Sequence, residues 1–327
     1  MGKYIVFGGD GFVGHYLIKE LLQRGENVLA CDMVQTADIY ENCDFQQVDI
    51  TNTDELKKVK MSADDIVIHL AARQYHLPVP REGRNEFFFE VNYQGTANIL
   101  AEMAKKGCCR MIYFSTDMTY GKPQYLPVDV NHPQNPFGPY GSSKKASEDL
   151  CRQYRQKGFH ITIFRPRMIL GPGRLGILKK LFKLIELNLP VPMIGNGKNC
   201  YQMISVFDCV SAILKACEKG IPDSEYNLGS FNPPTVHDLL SGVIKNVGSK
   251  SILLPTNGML VKKCLALLGN MGIELLYKEQ YEIADENYLV DIGHTMKDLD
   301  WQPEFDDTDM LYQAYEYYQQ EKAGKKV

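Results

Sequence analysis

A glycine run, Gly8, Gly11 and Gly14, narrows the possible folds of this chain more than any other feature. Before it, Lys3-Tyr4-Ile5-Val6-Phe7 reads as a short buried strand; after it, an amphipathic helix is predicted from Phe12 to about Arg24. Glycines there permit a tight turn and let backbone approach a pyrophosphate. The helix start adds unpaired N–H donors and a partial positive charge. A glycine triplet alone is a turn, but the strand–turn–helix context points to a ligand. Gly8, Gly11, Phe12 and Val13 are therefore cofactor-binding candidates.

A second strand, Val28-Leu29-Ala30-Cys31, ends in Asp32 with Met33 beside it. An acidic residue there accepts hydrogen bonds from adenosine ribose hydroxyls and repels a 2′-phosphate, so NAD is expected over NADP. Phe45 to Val48 is read as a third strand, leading to Asp49 and Ile50, which are placed to flank the adenine. A fourth, Asp65 to Leu70, runs into Ala71 and Ala72, small enough for backbone to lie against the cofactor. His69 reads as a packed strand residue.

Strands and helices alternate through about residue 165, the pattern of a parallel α/β sheet with helices on both faces. Asn92 to Lys106 is predicted helical, Met111 to Phe114 and Ile161 to Arg165 extended, and the proline-rich stretch from Lys122 to Pro139 a loop over the site. The expected division is a cofactor domain, 1–170, to which 198–230 returns, and a smaller lobe from 171–197 and 231–327. The polar tail from Gln319 is expected to fray.

Tyr140 and Lys144 lie four residues apart, sharing one helix face. A phenol titrates near ~10 and is a poor base at neutral pH. An adjacent ammonium favours the phenolate, and a cationic nicotinamide would push the same way. Thr116, at the end of an apolar run, can hydrogen-bond the same oxygen. Thr116, Tyr140 and Lys144 form the candidate catalytic set, taking a proton from a sugar or alcohol hydroxyl as hydride leaves the carbon. A Tyr-x-x-x-Lys pair by itself is equally an exposed helix with a solvated lysine.

The chain has 327 residues, 44% hydrophobic, with net charge -4 and pI near 6.0, which argues against nucleic acid as partner. Nine cysteines show no zinc-like spacing, and no metal site is expected. Without a signal peptide, reduced thiols in cytoplasm are the simplest reading.

The motifs together resemble the extended short-chain dehydrogenases/reductases of the NAD-dependent sugar epimerase/dehydratase family. Besides those above, the resemblance rests on Val91-Asn92-x-x-Gly95-Thr96, Phe114-Ser115-Thr116-x-x-x-Tyr120-Gly121, Arg165-Pro166, Gly171-Pro172-Gly173, Gly195-Asn196-Gly197, Val206-x-Asp208, Tyr226-Asn227-Leu228-Gly229 and Trp301-x-Pro303. It implies a Rossmann-type doubly wound sheet with a C-terminal substrate lobe. It adds Leu70, Asn92, Tyr140, Lys144 and Arg167 to the cofactor contacts. The substrate contacts it suggests are Asp117, Met118, Arg167, Arg174 and Tyr201. It also suggests a homodimer through the helices at 92–106 and 142–156.

Departures from the family pattern concern the substrate. Met168 stands where many nucleotide-sugar enzymes carry Asn, and Tyr201 where they carry a diphosphate-gripping Arg. Arg167 and Arg174 are the substitutes at hand, each otherwise a surface arginine. Asp117-Met118 replaces the Asp-Glu pair of dehydratases, which disfavours 4,6-dehydration. The apolar stretch from Gly258 to Tyr277, with Lys262 and Lys263, is too short to span a bilayer. It is either a helix packed on its own lobe or an interfacial helix with lysines toward anionic headgroups at the inner membrane face. The expected activity is NAD-dependent epimerisation, at C4, of a hexose or N-acetylhexosamine on a nucleotide or polyprenyl diphosphate. A net reductase or dehydrogenase of a keto sugar or lipid alcohol, and a non-catalytic NAD-binding protein, are the alternatives.

Overall fold

The computed structural model describes residues 2–36, 43–75, 78–176 and 178–324. Its sheet strands are β1 (Tyr4–Phe7), β2 (Val28–Asp32), β3 (Asp44–Gln47), β4 (Ile66–His69), β5 (Arg110–Phe114) and β6 (His160–Pro166). Three short strands follow, β7 (Met168–Leu170), β8 (Val191–Met193) and β9 (Met203–Ser205), then β10 (Glu225–Leu228) and β11 (Leu253–Pro255). The main sheet has seven parallel strands in the order β10-β6-β5-β4-β1-β2-β3. Ile5, Val6 and Phe7 are fully buried, as a parallel strand covered on both faces requires.

The order turns back on itself between β1 and β4, opening a crevice at their carboxyl ends where α/β folds bind ligands. Helix α1 (Phe12–Gln23) buries Val13, Leu17, Ile18 and Leu21 on one face of the sheet, with α7 (Val206–Glu218) beside it. The other face is covered by α4 (Thr96–Lys105) and α5 (Pro139–Arg155), beside the short helices α2 (Thr53–Leu56) and α3 (Arg84–Phe89). A π-helical turn, Glu90–Gly95, precedes α4, so the single helix expected from Asn92 changes its winding before Thr96.

The second core gathers β7, β8 and β9 with α6 (Leu178–Glu186), α8 (Val236–Asn246) and α12 (Asp307–Lys322). The range 231–327 does not stay in this lobe. Leu299, at the end of α11 (Gly293–Leu299), and Trp301 just beyond it pack into the sheet-side core with α1 and α7. Asp208 receives the Glu304 and Phe305 amides there, at 2.9 and 3.3 Å. The polar tail does not fray at Gln319 either; α12 runs to Lys322, which pairs with Glu186.

The stretch at 258–277 contains α9 (Gly258–Asn270), followed by α10 (Lys278–Tyr281). In α9 only Gly258 is buried, and Met259, Leu260 and Leu267 are exposed at 68%, 62% and 62%. The helix lies against its own lobe along Val261, Leu265 and Leu268, which are half-buried, while its other side is apolar and exposed. Lys262 is not directed outward; it pairs with Asp285 and donates to the Glu282 carbonyl.

Candidate active site

The glycine turn closes as its sequence requires. Gly8 has φ +85°, and a Cβ there would lie 2.5 Å from the Ala71 amide nitrogen. A Cβ on Gly14 would meet the Gly8 carbonyl oxygen at 2.2 Å. Side chains larger than hydrogen would push β1, α1 and the Leu70–Ala72 backbone apart. Gly11 caps α1 with no side chain, and the first turn, with Phe12 and Val13, carries no acidic residue. Free N–H donors at a helix start, flanked by bare backbone, fit a pyrophosphate.

Asp32, at the end of β2, accepts from the Asp10 amide (2.9 Å) and the Met33 amide (2.7 Å). Burial pushes its carboxyl upward against those two hydrogen bonds. Met33 is exposed beside it. Asp49 is used in its own turn, accepting from the Thr51 amide and hydroxyl at 2.8 Å. Ile50 is buried against Gly95. Asn92 braces rather than lines the crevice: it accepts from the Arg73 amide (2.8 Å) and donates to Ser143 Oγ (2.9 Å). That ties the segment after β4 to α5.

Thr116 follows β5 and caps a 3-10 turn over Asp117–Thr119, accepting from the Met118 amide at 3.2 Å. Gly141 lets α5 come close: a Cβ there would stand 2.5 Å from the Met118 carbonyl oxygen. This contact brings the Tyr140 hydroxyl into hydrogen-bonding relation with the Thr116 side chain. Both Tyr140 and Lys144 are buried.

The electrostatics correct one expectation. The Tyr140 phenol is pushed above its ordinary range, chiefly by burial; Arg174 and the Thr116 hydrogen bond act the other way. Lys144 does not depress it here. Its ammonium donates to the Phe114 carbonyl (2.6 Å), lies 4.2 Å from the Tyr113 ring centre, and is itself lowered to about 7 by burial. A lysine so desolvated is only partly charged near neutrality, and an anion or polarised hydroxyl beside it favours the charged form.

Arg167 is not a surface arginine. It is fully buried, ion-paired with Asp117, donates from Nε to the Gln202 carbonyl (3.1 Å), and lies between the rings of Tyr201 (4.6 Å) and Tyr288 (4.1 Å). Tyr201 therefore covers an arginine rather than replacing one. Arg174 lies at the crevice, over Phe12 at 5.7 Å, donating to Gln74 Oε1 at 2.6 Å and acting on Tyr140. Of the two arginines, Arg174 is the one positioned between the helix start and the tyrosine. Met118 packs with Tyr120, Tyr288 and Val290.

Three features escaped the sequence reading. Glu148, one turn after Lys144, is fully buried and holds Arg165 (2.7 Å) and Ser115 (2.5 Å), locking the ends of β5 and β6 to α5. Its spacing from Lys144 was a usable signal. Tyr75 meets Tyr140 edge-on at 5.7 Å, and Glu279 comes in from α10 to the start of α5. Nothing in the local sequence announces either.

Residues 4–229 match the family described as NAD dependent epimerase/dehydratase. A human dTDP-D-glucose 4,6-dehydratase is 28% identical over 267 residues, 76% of this chain and 76% of its own. An Escherichia coli O157:H7 N-acetyl-alpha-D-glucosaminyl-diphospho-ditrans,octacis-undecaprenol 4-epimerase is 28% identical over 278 residues, covering 82% and 80%. Among solved structures, UDP-glucose 4-epimerase of Thermotoga maritima with UDP-glucose superposes with TM-score 0.78 at 21% identity, over 98% and 99% of the chains.

Proposed function

The chain belongs to the NAD dependent epimerase/dehydratase family, the extended short-chain dehydrogenases/reductases, and on that premise we propose that it is a 4-epimerase of a diphosphate-linked hexose or N-acetylhexosamine. NAD is its cofactor. The glycine turn and the bare first turn of α1 would hold the pyrophosphate, Asp32 the adenosine ribose, and Lys144 the nicotinamide ribose. Bound NAD supplies the acceptor, and then the donor, of hydride.

The observation that carries the reading is the meeting of Thr116, Tyr140 and Lys144 beside that turn. Tyr140 takes the proton of the sugar hydroxyl and later gives it back, while Thr116 fixes the hydroxyl's orientation. Arg174 faces the carrier diphosphate. Arg167 is committed to Asp117, which keeps that carboxylate from acting as a free acid at the sugar. With Met118 after it in place of a glutamate, epimerisation is favoured over dehydration.

The carrier is a nucleotide or a polyprenyl diphosphate. Support for the second comes from the absence of an arginine at Tyr201 and from the exposed apolar row on α9, which would meet a membrane peripherally at its cytoplasmic face. The enzyme works as a homodimer through the outer faces of the 92–106 and 142–156 segments. The deciding experiment is a panel of nucleotide-linked and polyprenyl-linked hexosamines, read by product stereochemistry. Stoichiometric NADH formation or consumption in place of inversion would replace the epimerase with a net oxidoreductase.

A further inference from the structure

Between α9 and α10 the chain crosses back over the site, and a row of its side chains and carbonyls contacts the cofactor domain. Arg81 Nη2 donates to the Gly272 carbonyl at 2.9 Å, and Arg84 pairs with Glu274. Tyr277 stacks on Tyr75, ring centres 4.4 Å apart and 27° between planes, and Tyr75 in turn abuts Tyr140. The last contact is Glu279, only 3% exposed. Its carboxyl faces the Tyr75 hydroxyl and the amides of Tyr140 and Gly141, and closes no hydrogen bond of good geometry with them.

Those two amides are among the orphan donors of the helix that carries Tyr140 and Lys144. Such donors are usually met by an N-cap side chain. Here the N-cap is Gly138, which has none. A Cβ on Gly138 would fall 1.4 Å from Glu279 Oε1, so the space a local cap would fill is taken by a side chain from the lobe. Burial holds the carboxyl at about 7, so near neutrality the contact does not require a fully charged group.

We propose that 272–281 is a strap fastened by the substrate lobe across the catalytic helix, and that Glu279 is the positioning residue through which the strap sets Tyr140. The proposal rests on the reading of Tyr140 as the proton carrier. It makes lobe seating and placement of the tyrosine one event, since the same carboxyl ends the strap and begins the helix.

The test separates capping from coupling. Glu279→Ala should lower kcat by about ten- to a hundredfold, lower Tm, and speed amide exchange in 272–281 and 138–142 at least about tenfold. Glu279→Gln, of the same shape, should keep kcat and the exchange of both segments near the parent. Gly138→Ser added to Glu279→Ala gives the helix a local cap, in backbone (φ -148°, ψ 167°) that suits serine there. That double variant should recover Tm and exchange in 138–142 while kcat stays low and 272–281 stays fast. Recovery of kcat together with Tm, or parent-like exchange of 272–281 in Glu279→Ala, would overturn the proposal. A parent that inverts no sugar would count against the epimerase reading alone, and the exchange arm would still decide the strap.

Discussion

Tyr140, the proposed base, sits where a base is hard to make. Burial raises its phenol, and the groups opposing that are Arg174 and Thr116 rather than the lysine one turn along. Tyr140→Phe keeps the ring and removes the proton carrier. Turnover should fall by about 10²- to 10⁴-fold while NAD titration is nearly unchanged; a variant as active as the parent would remove Tyr140 from the chemistry. Glu279 gives a pH signature. Its folded value, about 7, lies above the ordinary carboxyl value of 4.5, with the Tyr75 hydroxyl and the Tyr140 and Gly141 amides as its neighbours. The native state therefore binds more protons than the unfolded chain in that window, and the stability tied to this group falls as pH rises through it. Below 4.5 both states are protonated, so parent and Glu279→Gln should then differ least. From pH 5 to 8 the glutamine variant should gain on the parent by on the order of 2–3 kcal/mol, read as diverging melting temperatures. Parallel curves would show that the carboxyl stays in contact with water.

At the scale of elements, the approach of α5 to the Thr116 turn matters most. Gly141→Ala puts a methyl 2.5 Å from the Met118 carbonyl oxygen, so the helix start must lift. We expect kcat to drop about ten- to a hundredfold with NAD affinity falling far less, because Asp32 and the glycine turn lie on other elements and only Lys144 shares the lifted helix. Unchanged kcat would mean that Thr116 and Tyr140 need no such closeness. The sheet itself was legible in the sequence. Val6, Phe7, Val67 and Ile68 are buried on both faces, and such strands read as unbroken apolar runs, while Gly8 and Gly14 mark where backbone must touch backbone. Position along the chain also revealed Tyr140 and Lys144, since helix spacing is local. Arg167 was misread because its neighbours Tyr201 and Tyr288 come from distant segments. Glu279 was missed because its partner, the start of α5, is remote in sequence. For α9, hydrophobicity marked an apolar helix but gave no account of which side is covered.

For the whole molecule, the open question is what the lobe touches. Among the described residues no helix is long and apolar enough to cross a membrane. Leu260, Leu267 and Met271 follow one another along α9 and its end, exposed at 62%, 62% and 67%, with Lys263 near them. Changing Leu260 and Leu267 to glutamate should abolish flotation of the protein with anionic vesicles. Lys262→Glu should instead lower the melting temperature, since that lysine answers Asp285. Equal flotation of the leucine variants and the parent would discard the contact. The chain's late return to the sheet has another kind of consequence. Leu299 packs beside α1 and α7, and the Trp301 indole donates to Ser211 Oγ at 2.8 Å. A ribosome therefore makes the cofactor half's strands and first helices well before it makes the residues that seal them. Until Trp301 emerges, the nascent chain carries an apolar seam that only this late segment can close. Exposed apolar surface of that kind is what chaperones hold, and a stop codon ahead of Leu299 would leave the seam open for good.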